Sequence, residues 1–120
     1  MRAMALLLAL LPAIARADDW SAADKALLGT ALAATAIDWA QTRTIAKNPH
    51  IWHEAGNKFF LGSHPSVGRV NMYFAAYALT TVGIAYILPS DYRKFYLGGI
   101  TLYETYLVVN NHRIGIRASF

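Results

Sequence analysis

The stretch VNMYFAAYALTTVGIAYIL, residues 70–88, decides the predicted fold class. It is nineteen residues long, carries no charged side chain and is interrupted only by Asn71 and a few Tyr and Thr. An α-helix rises about 1.5 Å per residue, so this length matches the roughly 30 Å hydrocarbon core of a bilayer. Pro89 ends the stretch, because proline disrupts helix continuation. We interpret residues 67–88 as a membrane-spanning helix.

The composition of the whole chain also favours a membrane protein. Apolar residues make up 56% of its 120 residues and charged residues 15%, against roughly 45–50% and about 25% in soluble domains. The chain has no cysteine, which excludes disulfides, zinc–thiolate sites and thiol nucleophiles. Its net charge is +4, but the basic residues are scattered and form no basic run. We therefore predict no nucleic-acid partner.

The first seventeen residues, MRAMALLLALLPAIARA, have the pattern of an export signal. Arg2 precedes an apolar run that is too short to span a bilayer, and Ala15 and Ala17 form an A-x-A cleavage site. We predict a signal peptide over residues 1–17 and a single helical membrane domain over residues 18–120. The alternative is an uncleaved anchor. In both cases the domain begins on the exported side.

The rest of the chain predicts two more spans and one interfacial helix. Ser21 is a candidate helix cap, and the Ala-, Leu- and Thr-rich run behind it predicts a helix over about 23–46. Pro49 favours the start of a short amphipathic helix, over about 49–61, that lies in the membrane interface. A last helix is predicted over about 92–111. The predicted fold class is therefore all-α: a small bundle of about three transmembrane helices with a short interfacial helix.

The basic side chains predict an orientation. If the domain begins outside, six cations lie on the cytoplasmic side and three lie outside, in agreement with the positive-inside rule. We therefore predict the bacterial inner membrane, with the N-terminus periplasmic and the C-terminus cytoplasmic. The inner cations are Arg43, Lys47, Lys58, Arg69, Arg113 and Arg117, and the outer ones are Lys25, Arg93 and Lys94.

Two acids, Asp38 and Glu104, lie inside predicted spans. An ionised carboxylate at the bilayer centre costs roughly 2.5–3.5 kcal/mol, so both acids need partners. We predict a polar seam that determines how the helices pack, with Asn71 nearby and Arg69 or Arg43 neutralising one acid. The functional alternative is a proton or ion path, or a general acid and base pair. The candidate residues are Asp38, Gln41, Thr42, Arg43, Glu54, Asn57, His64, Asn71 and Glu104.

The histidines form only a weak metal-binding pattern. His50 and His53 lie three residues apart beside Glu54, but the H-E-x-x-H zinc motif is absent from the sequence. Residues with an apolar body and a polar tip, such as histidine, also occupy membrane interfaces without binding metal. The sequence has no G-x-S-x-G elbow and no phosphate-binding glycine loop either. We assign no metal, no cofactor and no catalytic residue.

The C-terminal stretch HRIGIRASF, residues 112–120, alternates apolar and polar side chains and ends in an aromatic residue. This pattern resembles the closing strand of outer-membrane barrels, so an outer-membrane location is the alternative. A barrel needs about eight strands or more, and the earlier segments lack the alternation. We predict instead an extended cytoplasmic tail whose Arg113 and Arg117 contact lipid phosphates or a partner.

The chain contains the stretches DWAQTR, NKFFLGSHPSVGRVNMYF, YILPSDYRK and NHRIGIRASF. In these four stretches it resembles a group of small, uncharacterised membrane proteins of proteobacterial phages and prophages. The resemblance implies a signal peptide and about three helices, but no activity. His112 stands where the group's ending has Tyr, which puts the tail contacts in doubt. The positions that the resemblance singles out are Asp38, Gln41, Thr42, Asn57, Gly62, His64, Pro65 and Ser66.

The sequence thus predicts a small integral membrane protein that is not an enzyme. It would be a phage- or prophage-encoded envelope component or accessory subunit that lies in the lipid bilayer and self-associates through the seam or joins another membrane protein. One alternative is a holin-like lysis pore, because a three-span holin has the same orientation. Another is a membrane-embedded enzyme or metal protein that uses Asp38, Glu54 and the histidines.

Overall fold

The computed structural model describes residues 20–120, and the predicted signal peptide over residues 1–17 lies outside the described residues. Residues 20–120 form helices and no strands, which confirms the all-α prediction. The three long helices begin and end within two residues of their predicted bounds. The helices are α1 (Ala22–Lys47), α2 (Lys58–Leu61), α3 (Val67–Ile87) and α4 (Ser90–Arg113).

Local side-chain contacts determine both ends of α1. The Ser21 hydroxyl accepts a hydrogen bond from the Asp24 N–H at 3.0 Å, and the Asp24 carboxylate accepts one from the Ser21 N–H at 3.1 Å. This capping box satisfies N–H groups that the helix start leaves without partners. At the other end, the Asn48 side chain donates to the Thr44 carbonyl at 2.8 Å, and Pro49 follows. The predicted cap at Ser21 is confirmed.

The long helices form an up-down-up bundle in which α1 packs against both α3 and α4. Trp39, late in α1, donates from its ring N–H to the side chain of Asn71, early in α3, so these two helices run antiparallel. Gln41, also late in α1, reaches the carbonyl of Val108, late in α4, so α1 and α4 run parallel. The starts of α1 and α4 therefore lie at one end of the bundle.

The predicted interfacial helix over residues 49–61 is wrong for most of its length, because only Lys58–Leu61 is helical. The chain before α2 turns back on itself: the Glu54 N–H donates to the Ser63 carbonyl at 2.7 Å. The Glu54 carboxylate in turn accepts from the Asn57 N–H at 3.0 Å. Both acid and amide are buried in the bundle, and a continuous helix along the membrane surface would leave them outside it.

The C-terminal tail docks on α1, a contact that the sequence analysis did not predict. The Ser119 N–H donates to the Ala40 carbonyl at 2.9 Å, and the Ile116 side chain is only 2% exposed. The exposed Arg117 guanidinium contacts the ring of His112 at 2.9 Å. Burial of the Ile116 side chain stabilises the docked tail. The alternating pattern of the sequence did not indicate this contact.

Among the described residues the bundle buries ten polar or charged side chains, about as many as it buries apolar ones. Large apolar side chains cover the outside instead: Phe95 is 82% exposed, Met72 77% and Leu102 75%. Soluble monomers rarely combine buried charges with a broadly apolar surface. The buried polar and charged residues are Asp24, Thr35, Asp38, Gln41, Thr42, Glu54, Asn57, Thr81, Arg93 and Glu104.

Among the helices of residues 20–120, only α3 is both long and apolar enough to cross a membrane. Its most apolar window of 18 residues is only 22% buried within the protein, whereas the core helix of a soluble protein is mostly covered. The other long helices, α1 and α4, carry more polar and charged side chains. By length and composition, α3 is therefore the candidate span among the described helices, and the three-span bundle is a proposal.

Candidate functional site

Three acidic side chains from distant parts of the chain lie together inside the bundle, and we call them the carboxyl cluster. Asp38 of α1 and Glu104 of α4 are each 1% exposed, and Glu54 of the loop after α1 is 4% exposed. The carboxyl groups of Asp38 and Glu104 lie within hydrogen-bonding reach of each other. Glu54 lies near enough for its charge to act on Asp38. The two acids of the predicted spans therefore meet.

Asn57 links the carboxyl cluster to the loop and to α3. Its side-chain Nδ2 donates to Oδ2 of Asp38 at 3.4 Å, and its backbone N–H donates to Oε1 of Glu54. Its Oδ1 accepts from the Tyr73 hydroxyl at 3.2 Å. The Thr42 hydroxyl donates to the other Asp38 oxygen at 3.4 Å. Asn57 thus joins three separate segments through one buried amide.

Two more tyrosines lie on the Glu104 side of the cluster. The Tyr77 hydroxyl lies beside the Glu104 carboxyl group, and the Tyr103 hydroxyl donates to the Gly56 carbonyl at 3.4 Å. Gly56 packs so closely against Leu107 that a Cβ atom there would lie 2.7 Å from the leucine Cδ2. The loop after α1 therefore closes one end of the cluster, and a side chain at Gly56 would require the Leu107 side chain to shift.

The prediction that Arg43 or Arg69 neutralises a seam acid is wrong. Arg43 lies over the Trp39 ring, 5.1 Å from its centre, and donates to the Asn71 side chain at 2.8 Å. Arg69 donates to the Phe60 carbonyl at 3.0 Å. Both cations lie near the end of the bundle, where they contact aromatic, amide and carbonyl groups instead of the acids. Within residues 20–120, ion pairs are formed by Asp24 and not by the carboxyl cluster.

Two carboxyl oxygens of the cluster, Oε2 of Glu54 and Oε2 of Glu104, are buried without a hydrogen-bond partner. A buried anionic oxygen that has lost its water and gained no donor is costly, by several kcal/mol or more. Three bare carboxylates are therefore not a stable state for this cluster. Its chemistry requires a proton or another cation.

Gln41 and Asn111 form a second polar contact, further along α1 and α4. The Gln41 amide donates to the Val108 carbonyl at 3.1 Å and accepts from the Asn111 amide at 3.3 Å. These groups satisfy one another within a single chain. Self-association of the chain stays a prediction.

The side chains of three histidines are exposed, whereas the carboxyl cluster is buried. His50, His53 and His64 are all exposed, although His64 was a candidate for the seam. In the part of the chain that the structure describes, no group of three or more His, Asp or Glu side chains is arranged to hold a metal ion. The geometry thus does not combine Glu54 and the histidines into one site.

Sequence reasoning missed a second buried ionic site, at the other end of the bundle. Arg93 of α4 donates to the Asp24 carboxylate of α1 at 3.2 Å and to the Ala85 carbonyl of α3 at 2.8 Å. Its guanidinium also lies 4.4 Å from the centre of the Trp20 ring. The signal in the sequence was that both charges lie at helix starts on the same side of the predicted membrane.

Asp24 lies ahead of the apolar stretch that begins at Ala26, and its surroundings favour the ionised carboxylate. Burial alone would raise its pKa. Hydrogen bonds from Ser21 and Arg93 and the charge of Lys94 outweigh burial, so the pKa of Asp24 lies below its ordinary value of 3.8. The pair with Arg93 is therefore a true ion pair at neutral pH.

Comparison of the chain with protein-family models, curated proteins and solved structures finds no match. The resemblance to small phage membrane proteins thus stays a prediction. The observations that bear on function are the carboxyl cluster, the apolar exterior and the distribution of charge between the two ends of the bundle.

Proposed function

We propose that this chain is a small integral membrane protein whose helices α1, α3 and α4 cross a lipid bilayer. The observation that carries this proposal is the inverted polarity of the bundle, with apolar side chains outside and acids inside. On α3 and α4, Met72, Ile87, Phe95, Leu102 and Tyr106 are between 67% and 82% exposed. Lipid solvates such side chains, while the bundle supplies the partners that polar groups lack in hydrocarbon.

Helix length and the position of the acids support three spans. The helices have 26, 21 and 24 residues, which at about 1.5 Å per residue is enough to cross roughly 30 Å of hydrocarbon. An acid at the bilayer centre costs roughly 2.5–3.5 kcal/mol when it faces lipid. Asp38 and Glu104 avoid lipid by facing each other. The polar residues of α1 and α4 lower the mean hydropathy of these helices but do not prevent them from crossing the membrane.

The two ends of the bundle differ in charge, which supports an inner-membrane orientation. Among the described residues, five exposed cations lie where α1 and α4 end, whereas the opposite end has two, Lys25 and Lys94, beside the buried Asp24–Arg93 pair. Under the positive-inside rule the ends of α1 and α4 face the cytoplasm. The exposed cations at that end are Lys47, Lys58, Arg69, Arg113 and Arg117.

For the biological role, we propose a non-enzymatic envelope component or accessory subunit of phage or prophage origin. The enclosed carboxyl cluster supports a stable membrane component over a holin-like pore, because a pore needs polar groups that face water or neighbouring copies. The meeting of Asp38, Glu54 and Glu104 favours a membrane-embedded enzyme as the second candidate. The exposed histidines give that candidate no support.

Single cysteines test the topology, because the natural sequence has none. Asp91→Cys and Lys58→Cys place exposed thiols at opposite ends of the bundle, and Leu97→Cys is the buried control. A maleimide that does not cross the inner membrane should label Asp91→Cys in intact cells and Lys58→Cys only after lysis. Equal labelling of the two in intact cells, or a wild-type protein that stays soluble without detergent, would contradict the proposal.

Inducible expression with a potential-sensitive dye distinguishes the candidate roles. An envelope component should leave the membrane potential intact during expression. A collapse of the potential at a defined time would instead identify a lysis pore. Loss of that collapse in a variant that still reaches the membrane would assign the effect to the residue changed.

A further inference from the structure

We propose that Asp38 and Glu104 form a buried proton-binding site, in which the two carboxyl groups share one proton. The site goes beyond the proposed membrane role, because it follows from contacts inside the bundle. Its ligand is a proton, bound without any covalent change to the protein.

The contact between the two acids is the first argument. An ionised carboxylate has only acceptor oxygens, so two ionised carboxylates cannot hydrogen-bond to each other. Asp38 and Glu104 lie within hydrogen-bonding reach, and both are almost wholly buried. A proton on one of them supplies the donor that the contact lacks and removes the repulsion of two like charges.

The surroundings of the pair are the second argument. Every element packed against it contributes neutral hydroxyl or amide groups, or a further acid, and no arginine or lysine of the described residues forms an ion pair there. Only a proton or another cation can then offset the negative charge. The groups that face the pair are Thr42 of α1, Tyr73 and Tyr77 of α3, Tyr103 of α4, and Glu54 and Asn57 of the loop.

The unpartnered oxygens are the third argument. Oε2 of Glu104 is buried and accepts no hydrogen bond, as expected for a carboxyl group that does not carry a full negative charge. Oε2 of Glu54 is also unpartnered, but Glu54 lies between the exposed residues His53 and Ala55. At 4% exposed, against 1% for Asp38 and for Glu104, Glu54 is the least buried acid of the cluster, and proton exchange on its side is part of the proposal.

Infrared spectroscopy of the purified full chain in lipid nanodiscs tests the site. A protonated carboxyl group has a C=O stretch that is separate from the carboxylate bands and shifts in D2O. We expect this band at neutral pH in the wild type, at an intensity of about one group per chain. Asp38→Asn and Glu104→Gln should each abolish it, because an amide donates the hydrogen bond in place of the shared proton.

Two control variants locate the proton. Asp91→Asn removes an exposed acid and should leave the band unchanged. Glu54→Gln should also keep the band and slow only its exchange in D2O, and loss of the band in this variant would place the proton on Glu54 and overturn the assignment. Because the amide variants are nearly isosteric, helical circular dichroism should match the wild type. The wild-type spectrum stands even if one variant fails to fold.

A wild-type protein without the band would overturn the proposal. Metal analysis of the same sample would then show whether a bound cation takes the place of the proton. This test does not depend on the topology. A soluble protein that shows the band would contradict the membrane proposal and support the proton site. A membrane protein that lacks the band would support the membrane proposal and contradict the proton site.

Discussion

The guanidinium group of Arg93 lies 3.2 Å from the carboxylate of Asp24, so one buried ion pair joins the starts of α4 and α1. The same guanidinium donates to the carbonyls of Ala85 and Leu88 at the end of α3. A single arginine thus connects all three long helices at one end of the bundle. At the other end, Arg43 of α1 donates to the Asn71 side chain of α3 and to the Ser119 carbonyl of the C-terminal tail, and Asn57 joins α1 and α3 through its side-chain amide.

Acid should weaken this end of the bundle. Because the pKa of Asp24 is lowered in the folded state, its contribution to stability is present above the ordinary carboxyl pKa and is lost as the pH falls through the lowered pKa. We expect Asp24→Asn to lower the thermal midpoint at neutral pH. The difference from the wild type should shrink as the pH falls below about 4.

Circular dichroism melting of detergent-solubilised protein over a pH series measures this effect. Asp91→Asn, which removes an exposed acid of the first turn of α4, should follow the wild type at every pH. Equal midpoints for Asp24→Asn and the wild type throughout the series would show that the ion pair does not stabilise the fold.

Replacement of Asn57 by alanine should destabilise the bundle. The change removes the donor to Asp38 and the acceptor for the Tyr73 hydroxyl, and each buried group left unpaired costs about 1–3 kcal/mol. The free energy of unfolding in mixed micelles measures the loss. Asn110→Ala, at an exposed position on α4, is the matched control and should change little. If both variants lower the free energy of unfolding by a similarly small amount, the Asn57 hydrogen bonds do not stabilise the bundle.

A charge on the outer face of α4 separates a membrane protein from a soluble one. Leu102 is 75% exposed at the middle of α4, so Leu102→Arg should cost roughly 2.5–3.5 kcal/mol if that face contacts lipid. We expect a lower yield of membrane-inserted protein on carbonate extraction. His112→Arg, exposed near the end of the same helix, should insert normally. If the Leu102 face of α4 contacts water instead of lipid, Leu102→Arg should leave stability unchanged or improve solubility. That result would argue against an α4 that spans the membrane.

Two isoleucines of the tail give a matched pair of variants. Ile116 is 2% exposed and Ile114 is 55% exposed. Removing a buried isoleucine side chain costs about 2–5 kcal/mol, so Ile116→Ala should release the tail from α1. Trypsin should then cleave after Arg117 faster than in the wild type, while Ile114→Ala should be cleaved at the wild-type rate. Equally slow cleavage of both variants would mean that the tail is held by its backbone contacts alone.

Several features of the fold were predictable because they depend on neighbours along the chain. The cap at Ser21 requires only a hydroxyl and an acid three residues later, and Pro49 and Pro89 end helices by their own covalent geometry. The apolar run of residues 70–88 likewise predicts α3 from length and composition. Residues 49–61 also have an amphipathic helical pattern, but only the last four of them, Lys58–Leu61, form a helix. Here the burial of Glu54 and Asn57 in the bundle determines the conformation, and neighbours along the chain do not.

The sequence by itself determined the long helices, their ends and the need of Asp38 and Glu104 for partners, since hydropathy, capping and the cost of burying a carboxylate act on short segments. Only the tertiary structure decided which partners they found. Arg93 lies 69 residues from Asp24, and the rotation of each helix about its axis brought those two together and turned Arg43 to Asn71. The packing of the whole bundle determines that rotation, because the sequence of a single helix does not specify which of its faces will contact the other helices.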